Sequence, residues 1–461
     1  MSGARTHTDS SEIRQALADA VERAAARPDG PGLMRIGVPV PHVDAFRWLA
    51  AQHPGSRAVW SPRDTHRVVA MCGIADVYES VGKTDVDRLS RYISHQLEGA
   101  DPGTRYYGGI RFDSGRTTSP EWNSFGSVRF VLPRFELVVD DTGAELVCNL
   151  VRHRDRASMS TILREIRELV WPGAAQSSML PHAVARHDEP DRPQWLQRVA
   201  ESLEAIEALE IQKVVLARRS SFEFDGPVRP FELVARLYHE APNRFHYLVE
   251  TEDGSVFLGA TPERLVKREQ SFVFTEAVAG TRPAVEDEAD DAALLAALMA
   301  SDKEQREHLC VRWAIEEILR PLCEDLAVDA HASEMRLSQG RHLVSRFNGV
   351  LNDGVETWQL LRHLHPTPAV GGYPAPAAIR VIRRMEAFDR GWYAGPIGWV
   401  GRDEAEFAVA LRCALVQGSS MHIYSGAGIV AGSEPQAEWD EIEHKIVDFA
   451  RVLGLAGVEA E

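Results

Sequence analysis

Two pairs of glutamates, each pair spaced by three residues, form the clearest chemical pattern in this 461-residue chain. Glu304 and Glu307 lie in SDKEQREH, and Glu438 and Glu441 lie in EWDEIEHK. A spacing of three places both carboxylates of a pair on one face of an α-helix. Carboxylates on two helices suit Mg²⁺, which takes one or two of them directly and keeps several waters. By spacing alone, a solvated helix face is the commoner meaning of such a pattern.

Amphipathic patterns predict the helices that carry these pairs, at 301–319 and 436–453, and two more at 11–26 and near 193–209. Strand-like runs separated by turn residues fill 34–151 and recur after residue 212. This order predicts an α+β fold in which large mixed or antiparallel sheets pack against flanking helices.

One segment, residues 173–195, has three prolines and no sustained periodicity, so it is predicted to connect two parts of the chain. The parts are residues 1–190, a helix followed by a β-rich region, and residues 191–461, which contain both glutamate pairs. We expect them to form one intertwined structural unit, although the chain length also permits two lobes.

Charge and cysteine content exclude several classes of protein. The formal net charge is −17 and the basic residues form no stripe, which argues against nucleic-acid or anionic-membrane binding. A few local cations could still bind a small anion in a cleft. The chain has five cysteines, no CxxC pair, no apolar leader and no 18-residue apolar run. These features predict reduced thiols and a cytoplasmic location.

Nine short motifs between residues 212 and 445 occur in the order found in the chorismate-binding family, which includes anthranilate, aminodeoxychorismate, salicylate and isochorismate synthases. The first 190 residues resemble only loosely the variable N-terminal part of menaquinone-type isochorismate synthases. The resemblance implies the fold of the chorismate-utilising enzymes and chorismate as the substrate. The motifs are QKVVLARR, GATPERL, TEAVAGTRP, SDKEQREH, LHPTPAVGG, FDRGWYAGPIG, ALRCA, SGAGIV and EWDEIEHK.

By this resemblance, the glutamate pairs hold Mg²⁺, with Glu307 and Glu441 as direct ligands and Glu304 and Glu438 acting through water. The metal would bind the ring carboxylate of chorismate. Arg412 matches the arginine that grips the enolpyruvyl carboxylate, a task suited to its planar fork. The segment from Gly426 to Gly428 resembles a turn whose backbone N–H groups approach the same carboxylate. The remaining residues implied to contact substrate are Gly280, Thr281, His342, Tyr393, Ala427 and Lys445.

Three positions distinguish the reactions of this family. Lys213 stands where the water-using members carry a lysine base, and Glu263 matches the general acid that protonates the departing C4 hydroxyl. Ala279 stands where aminodeoxychorismate synthases carry a lysine that bonds covalently to the ring. The resemblance therefore implies an isochorismate synthase that uses Mg²⁺ and water and requires no amidotransferase subunit.

A salicylate synthase, which also expels pyruvate, is the main alternative because it shares Lys213, Glu263 and Ala279. The segment LHPTPAVGG resembles the isochorismate synthase form. A catalytically silent chorismate-binding protein is a third hypothesis, but such a protein should have lost the base, the acid or the metal ligands. A monomer or homodimer is expected, and the downstream pathway, menaquinone or siderophore, stays open.

Overall fold

The protein was analysed as a computed structural model that describes residues 10–27, 30, 32–173, 180–283, 287–337 and 340–455. No helix in these ranges is both long and apolar enough to cross a membrane. The strands are β1 Leu33–Val40, β2 Arg57–Ser61, β3 Val68–Ser80, β4 Tyr106–Ile110, β5 Val128–Asp140, β6 Gly143–Val151, β7 Ala183–Glu189, β8 Lys213–Phe224, β9 Phe245–Glu250, β10 Val256–Thr261, β11 Arg264–Glu269, β12 Phe272–Pro283, β13 Cys323–Val328, β14 Ser333–Leu337, β15 Gly340–Leu351, β16 Gly372–Tyr373, β17 Pro396–Val400, β18 Glu404–Val409, β19 Cys413–Gln417 and β20 Ser420–Val430. The α-helices are α1 Ser10–Ala25, α2 Ala45–Ala51, α3 Val86–Leu97, α4 Arg152–Asp155, α5 Met159–Glu168, α6 Arg192–Glu207, α7 Pro230–Glu240, α8 Glu288–Ala300, α9 Asp302–Leu319, α10 Thr357–Leu364, α11 Ala375–Met385 and α12 Pro435–Leu453.

The described strands form one antiparallel network in which β5 pairs with β3, β4 and β6. The strand β6 leads only to β1, whereas β3 and β4 each begin a long limb. The first limb runs β3, β2, β9, β10, β19, β20 and β8, with β7 and β16 on the far side of β8. The second limb runs β4, β17, β18, β11, β12 and β15, with β13 and β14 beyond it. The predicted α+β class with large antiparallel sheets and flanking helices is confirmed.

Strands from before and after residue 190 are direct neighbours in this network. The strand β2 pairs with β9, β4 pairs with β17, and β7 pairs with β8. The segment 173–195, predicted to connect the two parts of the chain, contains the strand β7, which its lack of periodicity did not indicate. This strand is held by its ladder to β8 and by ion pairs such as that between Arg186 and Glu443, and such long-range contacts leave no local periodicity to detect.

The two helices that carry the glutamate pairs begin at well-defined signals. In α9, the side chain of Ser301 accepts a hydrogen bond from the backbone N–H of Glu304, which caps the helix. In α12, Pro435 occupies the first turn, where a missing N–H costs nothing, and Gly454 ends the helix in the left-handed conformation. The predicted helices at 301–319 and 436–453 are therefore confirmed, as is α1.

Two short segments carry the chain from one limb to the other. Residues 262–263 join β10 of the first limb to β11 of the second, and residues 410–412 join β18 of the second limb to β19 of the first. The two crossovers are hydrogen-bonded together: the N–H of Ala260 donates to Arg412 O at 3.0 Å, and the N–H of Val409 donates to Glu263 O at 3.1 Å. Glu263 and Arg412 thus lie where the limbs meet.

Candidate active site

A cleft lies beside these crossovers. Its walls come from β8, β12, β15 and β20, from the helices α9 and α12, and from the two crossovers. Of the predicted site residues, those that line it are Lys213, Glu263, Gly280, Glu304, Glu307, His342, Tyr393, Arg412, Gly426, Gly428, Glu438, Glu441 and Lys445. Thr281 lies opposite His342 in the ladder of β12 and β15, but its side chain lies outside the described part of the structure.

The glutamate pairs do not form a solvated helix face. Glu304 is 6% exposed and Glu438 is 2% exposed, and both face the cleft. A carboxylate is rarely buried to this degree unless a cation or a hydrogen-bond donor accompanies it. For Glu438 the partner is Lys303, whose Nζ lies 2.9 Å from Oε1. Lys303 was not singled out from the sequence, although it lies within the SDKEQREH motif.

The other two carboxylates each bind a lysine predicted to act in the site. Nζ of Lys213 is 2.9 Å from Oε1 of Glu307, and Nζ of Lys445 is 2.6 Å from Oε1 of Glu441. Lys445 also donates to Gly426 O at 3.0 Å. Burial disfavours ionisation of Glu441, but the charge and hydrogen bond of Lys445 outweigh it and lower the pKa of that carboxyl. Three of the four glutamates therefore each lie beside a lysine in the cleft.

The donor chemistry of the two helices fits a hard cation. Within the described ranges, no three carboxylate, imidazole or thiol groups converge into a preassembled metal cage. Magnesium does not require one, because it usually takes one or two carboxylates and completes its octahedron with water or substrate oxygens. The carboxylates of Glu304, Glu307, Glu438 and Glu441 offer only oxygen donors, and they reach the same cleft from two helices.

The floor of the cleft is a part of β20 in which glycines replace side chains. Gly426 and Gly428 face the cleft, and a Cβ on Gly428 would lie 2.7 Å from Oε1 of Glu307 and 3.1 Å from Cε of Lys213. Glycine is needed here for close approach. The prediction of a turn at these residues is wrong, because all three continue the ladder with β8. Ala427 does not line the cleft, since side chains alternate along a strand and its methyl group is buried on the opposite side.

Gly280 forms a bulge in the opposite wall. The register of β12 against β15 shifts between Ala279 and Thr281, and Gly280 has a φ of 77°, which disfavours any residue with a Cβ. Its carbonyl oxygen lies 3.2 Å from Nδ1 of His342. Burial, followed by the charges of Arg412 and Lys445, lowers the pKa of His342 to about 4. His342 is therefore a neutral hydrogen-bonding group at neutral pH.

Glu263 has the environment of a carboxylic acid that stays protonated at neutral pH. It is 7% exposed in its crossover, which Arg63 anchors by donating to Pro262 O at 2.6 Å. Burial raises the pKa of Glu263 from 4.5 to about 8, and the charge of Lys213 only partly opposes the shift. The carboxyl can therefore donate a proton near neutrality, as a general acid must.

The buried carboxyl of Glu263 should make the fold less stable as pH rises. Its pKa is higher in the folded chain than in the unfolded one, so the destabilisation is absent below about pH 4.5, grows from there to pH 8 and is complete above it. Since each pKa unit corresponds to about 1.4 kcal/mol, we expect Glu263→Gln to raise the thermal midpoint clearly at pH 9 and little at pH 4.5. The exposed Glu240→Gln is the control. A midpoint difference independent of pH would contradict a raised pKa.

The far end of the cleft contains two guanidinium groups and two aromatic rings. Arg412 adopts a left-handed φ of 47°, costly for a non-glycine residue, and donates from Nη1 to Lys445 O at 3.0 Å. The ring of Tyr393 stacks on that of Tyr424 with centroids 5.4 Å apart. Arg244, which sequence reasoning missed, also lines this end, and nothing in the segment PNRFHYL distinguished it from a surface arginine.

The sequence model of the family described as "Chorismate binding enzyme" matches residues 18–454. The chain belongs to this family. Its fold is therefore that of a chorismate-binding enzyme.

Within the family, the chain is similar to isochorismate synthases. It is 33% identical over 462 residues to isochorismate synthase 2, chloroplastic, of Arabidopsis thaliana, covering 92% of this chain and 81% of that protein. The solved structure of MenF, the menaquinone-specific isochorismate synthase from Escherichia coli, superposes with a TM-score of 0.83 at 30% identity, covering 95% of this chain and 99% of MenF. Anthranilate synthase component I from Streptococcus pneumoniae shares the fold, with a TM-score of 0.73 at 20% identity over 84% of this chain and 93% of that one.

Proposed function

We propose that the protein is an isochorismate synthase, which converts chorismate to isochorismate by adding water at C2 and removing the hydroxyl at C4. The observation that carries the proposal is that Lys213 and Glu263 line the same cleft. Lys213 is a buried amine, and Glu263 is a buried carboxyl with a pKa raised to about 8. A base and an acid are the two groups that this exchange of hydroxyls requires.

The proposed reaction balances protons between the two residues. Lys213, as the base, accepts a proton from water as the oxygen bonds to C2. The ring double bonds shift, the C4–O bond breaks, and Glu263 gives its proton to the departing hydroxyl, which leaves as water. One water enters and one leaves, so the product is an isomer of the substrate and the reaction is reversible.

The remaining side chains of the cleft hold the substrate for this exchange. Mg²⁺ bound by Glu307 and Glu441, with Glu304 and Glu438 behind water, would neutralise the ring carboxylate and withdraw electron density from the ring. Arg412 would bind the carboxylate of the enolpyruvyl side chain, and Tyr393 and His342 would pack beside it. Ala279, 7% exposed on the cleft wall, offers no nucleophile for covalent capture of the ring.

The expected product is isochorismate without net release of pyruvate. Loss of pyruvate would require the side chain to fold over the ring so that the C2 hydrogen reaches its methylene carbon, and enzymes promote such steps largely by enforcing geometry. A side chain held extended at Arg412 leaves that step slow. Incubation with chorismate and Mg²⁺, chromatography of the products and a lactate-dehydrogenase assay for pyruvate test the proposal.

Two results would overturn the assignment. Salicylate formed with stoichiometric pyruvate, above the spontaneous background, would identify a salicylate synthase. Failure of the purified, folded protein to turn over chorismate at any Mg²⁺ concentration would identify a binding protein without this activity.

A further inference from the structure

Arg244 is a buried cation for which no carboxylate partner is found among the described residues. It is 8% exposed, lines the cleft, and its Nε makes no hydrogen bond within the described chain. Burying a guanidinium without a partner is costly, and natural proteins normally pair such a group. A side chain kept in this state at the wall of a ligand cleft indicates that the partner is the ligand.

A second guanidinium group, that of Arg412, lies near Arg244 in the cleft. Burial and then the charge of Arg412 lower the pKa of Arg244 to about 10, which leaves it protonated at neutral pH. Arg412 itself donates to a backbone carbonyl and forms no ion pair within the described ranges. Asp448 acts on both guanidinium groups, and Glu441 also acts on Arg412, but through charge alone and not through an ion pair. The two groups beside the neutral His342 therefore offer a site for an anion inside a protein with a net charge of −17.

The backbone around Arg244 is fixed by neighbouring contacts. Arg244 lies between α7 and β9, one residue after Asn243, which has a left-handed φ of 60°. Nε2 of His246 lies 3.0 Å from both Leu237 O and Ala241 O at the end of α7. Burial lowers the pKa of His246 to about 4, so its neutral ring ties β9 to the helix by donating from Nε2. The guanidinium group of Arg244 therefore extends from a turn whose two ends, α7 and β9, are held together by His246.

We propose that Arg244 and Arg412 together clamp the side-chain carboxylate of the dianionic substrate, so that Arg244 is a further specificity-determining residue of this enzyme. The inference rests on the proposed function, because it takes chorismate as the ligand. A planar guanidinium can bind both oxygens of a carboxylate, and a second one on the same group selects a dianion over a substrate with a single carboxylate.

The test compares Arg244→Met, Arg244→Lys and wild type in kinetics, chorismate binding and substrate-free thermal stability. A hydrogen-bonded charge contact contributes about 1.5 to 3 kcal/mol, so KM of Arg244→Met should rise ~10- to 100-fold with kcat changed much less. Arg244→Lys keeps the positive charge but lacks the planar guanidinium group, so its KM should lie between those of wild type and Arg244→Met. The substrate-free midpoint of Arg244→Met should be unchanged or higher, because an uncompensated buried charge is removed.

A control variant separates direct contact from general electrostatics. Arg346 borders the adjoining cavity that Arg244 also lines, and its side chain is 53% exposed, so Arg346→Gln should leave KM unchanged. A lowered midpoint with unaltered KM in Arg244→Met, or an equal effect of Arg346→Gln, would overturn the clamp.

The proposed function and the clamp can fail separately. Wild type that binds chorismate in a tryptophan-fluorescence titration without converting it would overturn the function, while the same titration on Arg244→Met still tests the clamp. Wild type that neither binds nor converts chorismate would overturn both.

Discussion

Replacing Lys213 with alanine should lower kcat by ~10² to 10⁴-fold, the usual loss when a positioned acid or base is removed. Lys213 is 1% exposed at the start of β8, and its amine lies between Glu307 and the glycine floor of β20. Steady-state kinetics with chorismate at saturating Mg²⁺ provide the measurement. Circular dichroism should show an unaltered fold, and Lys267→Ala, on β11 with its own partner Glu269, is the matched control.

Lys213 also forms an ion pair with Glu307, so its loss could lower activity by leaving that carboxylate without its cation. A further variant distinguishes this effect from loss of the base. If Lys213 only neutralises Glu307, arginine should serve as well, because it keeps the positive charge. Since a guanidinium stays protonated in proteins, Lys213→Arg should remain inactive if the amine must accept a proton from water. Near-normal kcat in Lys213→Arg, at saturating Mg²⁺, would remove Lys213 from the proton transfer.

Glu441→Gln should abolish measurable turnover when Mg²⁺ is limiting, because it removes a charged oxygen ligand from the proposed Mg²⁺ site. Glu307→Gln should do the same, but it also removes the partner of Lys213, so the two variants together separate loss of metal from disturbance of the base. Isothermal titration of Mg²⁺ in the presence of chorismate should show weakened binding in both. This readout does not depend on turnover.

A neighbouring carboxylate on the same helix is the control for the metal prediction. Asp440 is exposed on α12, directly before Glu441, and accepts a hydrogen bond from Gln436. Asp440→Asn removes the same formal charge from the helix but not from the cleft, and it should leave Mg²⁺ binding unchanged. Equal losses in Asp440→Asn and Glu441→Gln would point to general electrostatics, and undiminished activity in Glu441→Gln would exclude it as a ligand.

The sequence by itself was sufficient for features that depend on local periodicity and residue type. A spacing of three on an amphipathic helix is local geometry, so the placement of Glu304 with Glu307 and of Glu438 with Glu441 on single helix faces was predictable. The ordered motifs were likewise sufficient to indicate the family.

Features set by long-range pairing were not predictable in this way. The strand β7 in the expected connector depends on β8, because a ladder is formed by residues far apart in the chain. The run MHIYSGAGIV did indicate a strand, which β20 confirms, but the motif resemblance assigned a turn to Gly426–Gly428 that the ladder with β8 excludes. Ala427 was assigned to the site as part of a turn, and the alternation of β20 turns its methyl group away. Arg244 lies outside the motifs and was missed. Its importance depends on burial in the cleft without an ion-pair partner among the described residues, which the sequence does not reveal.

The chemical state of the site was decided only by the tertiary structure. Glu263 and Arg412 are ordinary residues in the sequence, and they line the same cleft because backbone hydrogen bonds hold the two crossovers beside each other. Burial there raises the pKa of Glu263, and burial depends on every element that covers the crossover, including the N-terminal Arg63 that anchors it. A sequence motif specifies which groups are present, whereas packing from distant segments sets their solvation, and solvation determines whether a carboxyl acts as an acid or as a ligand.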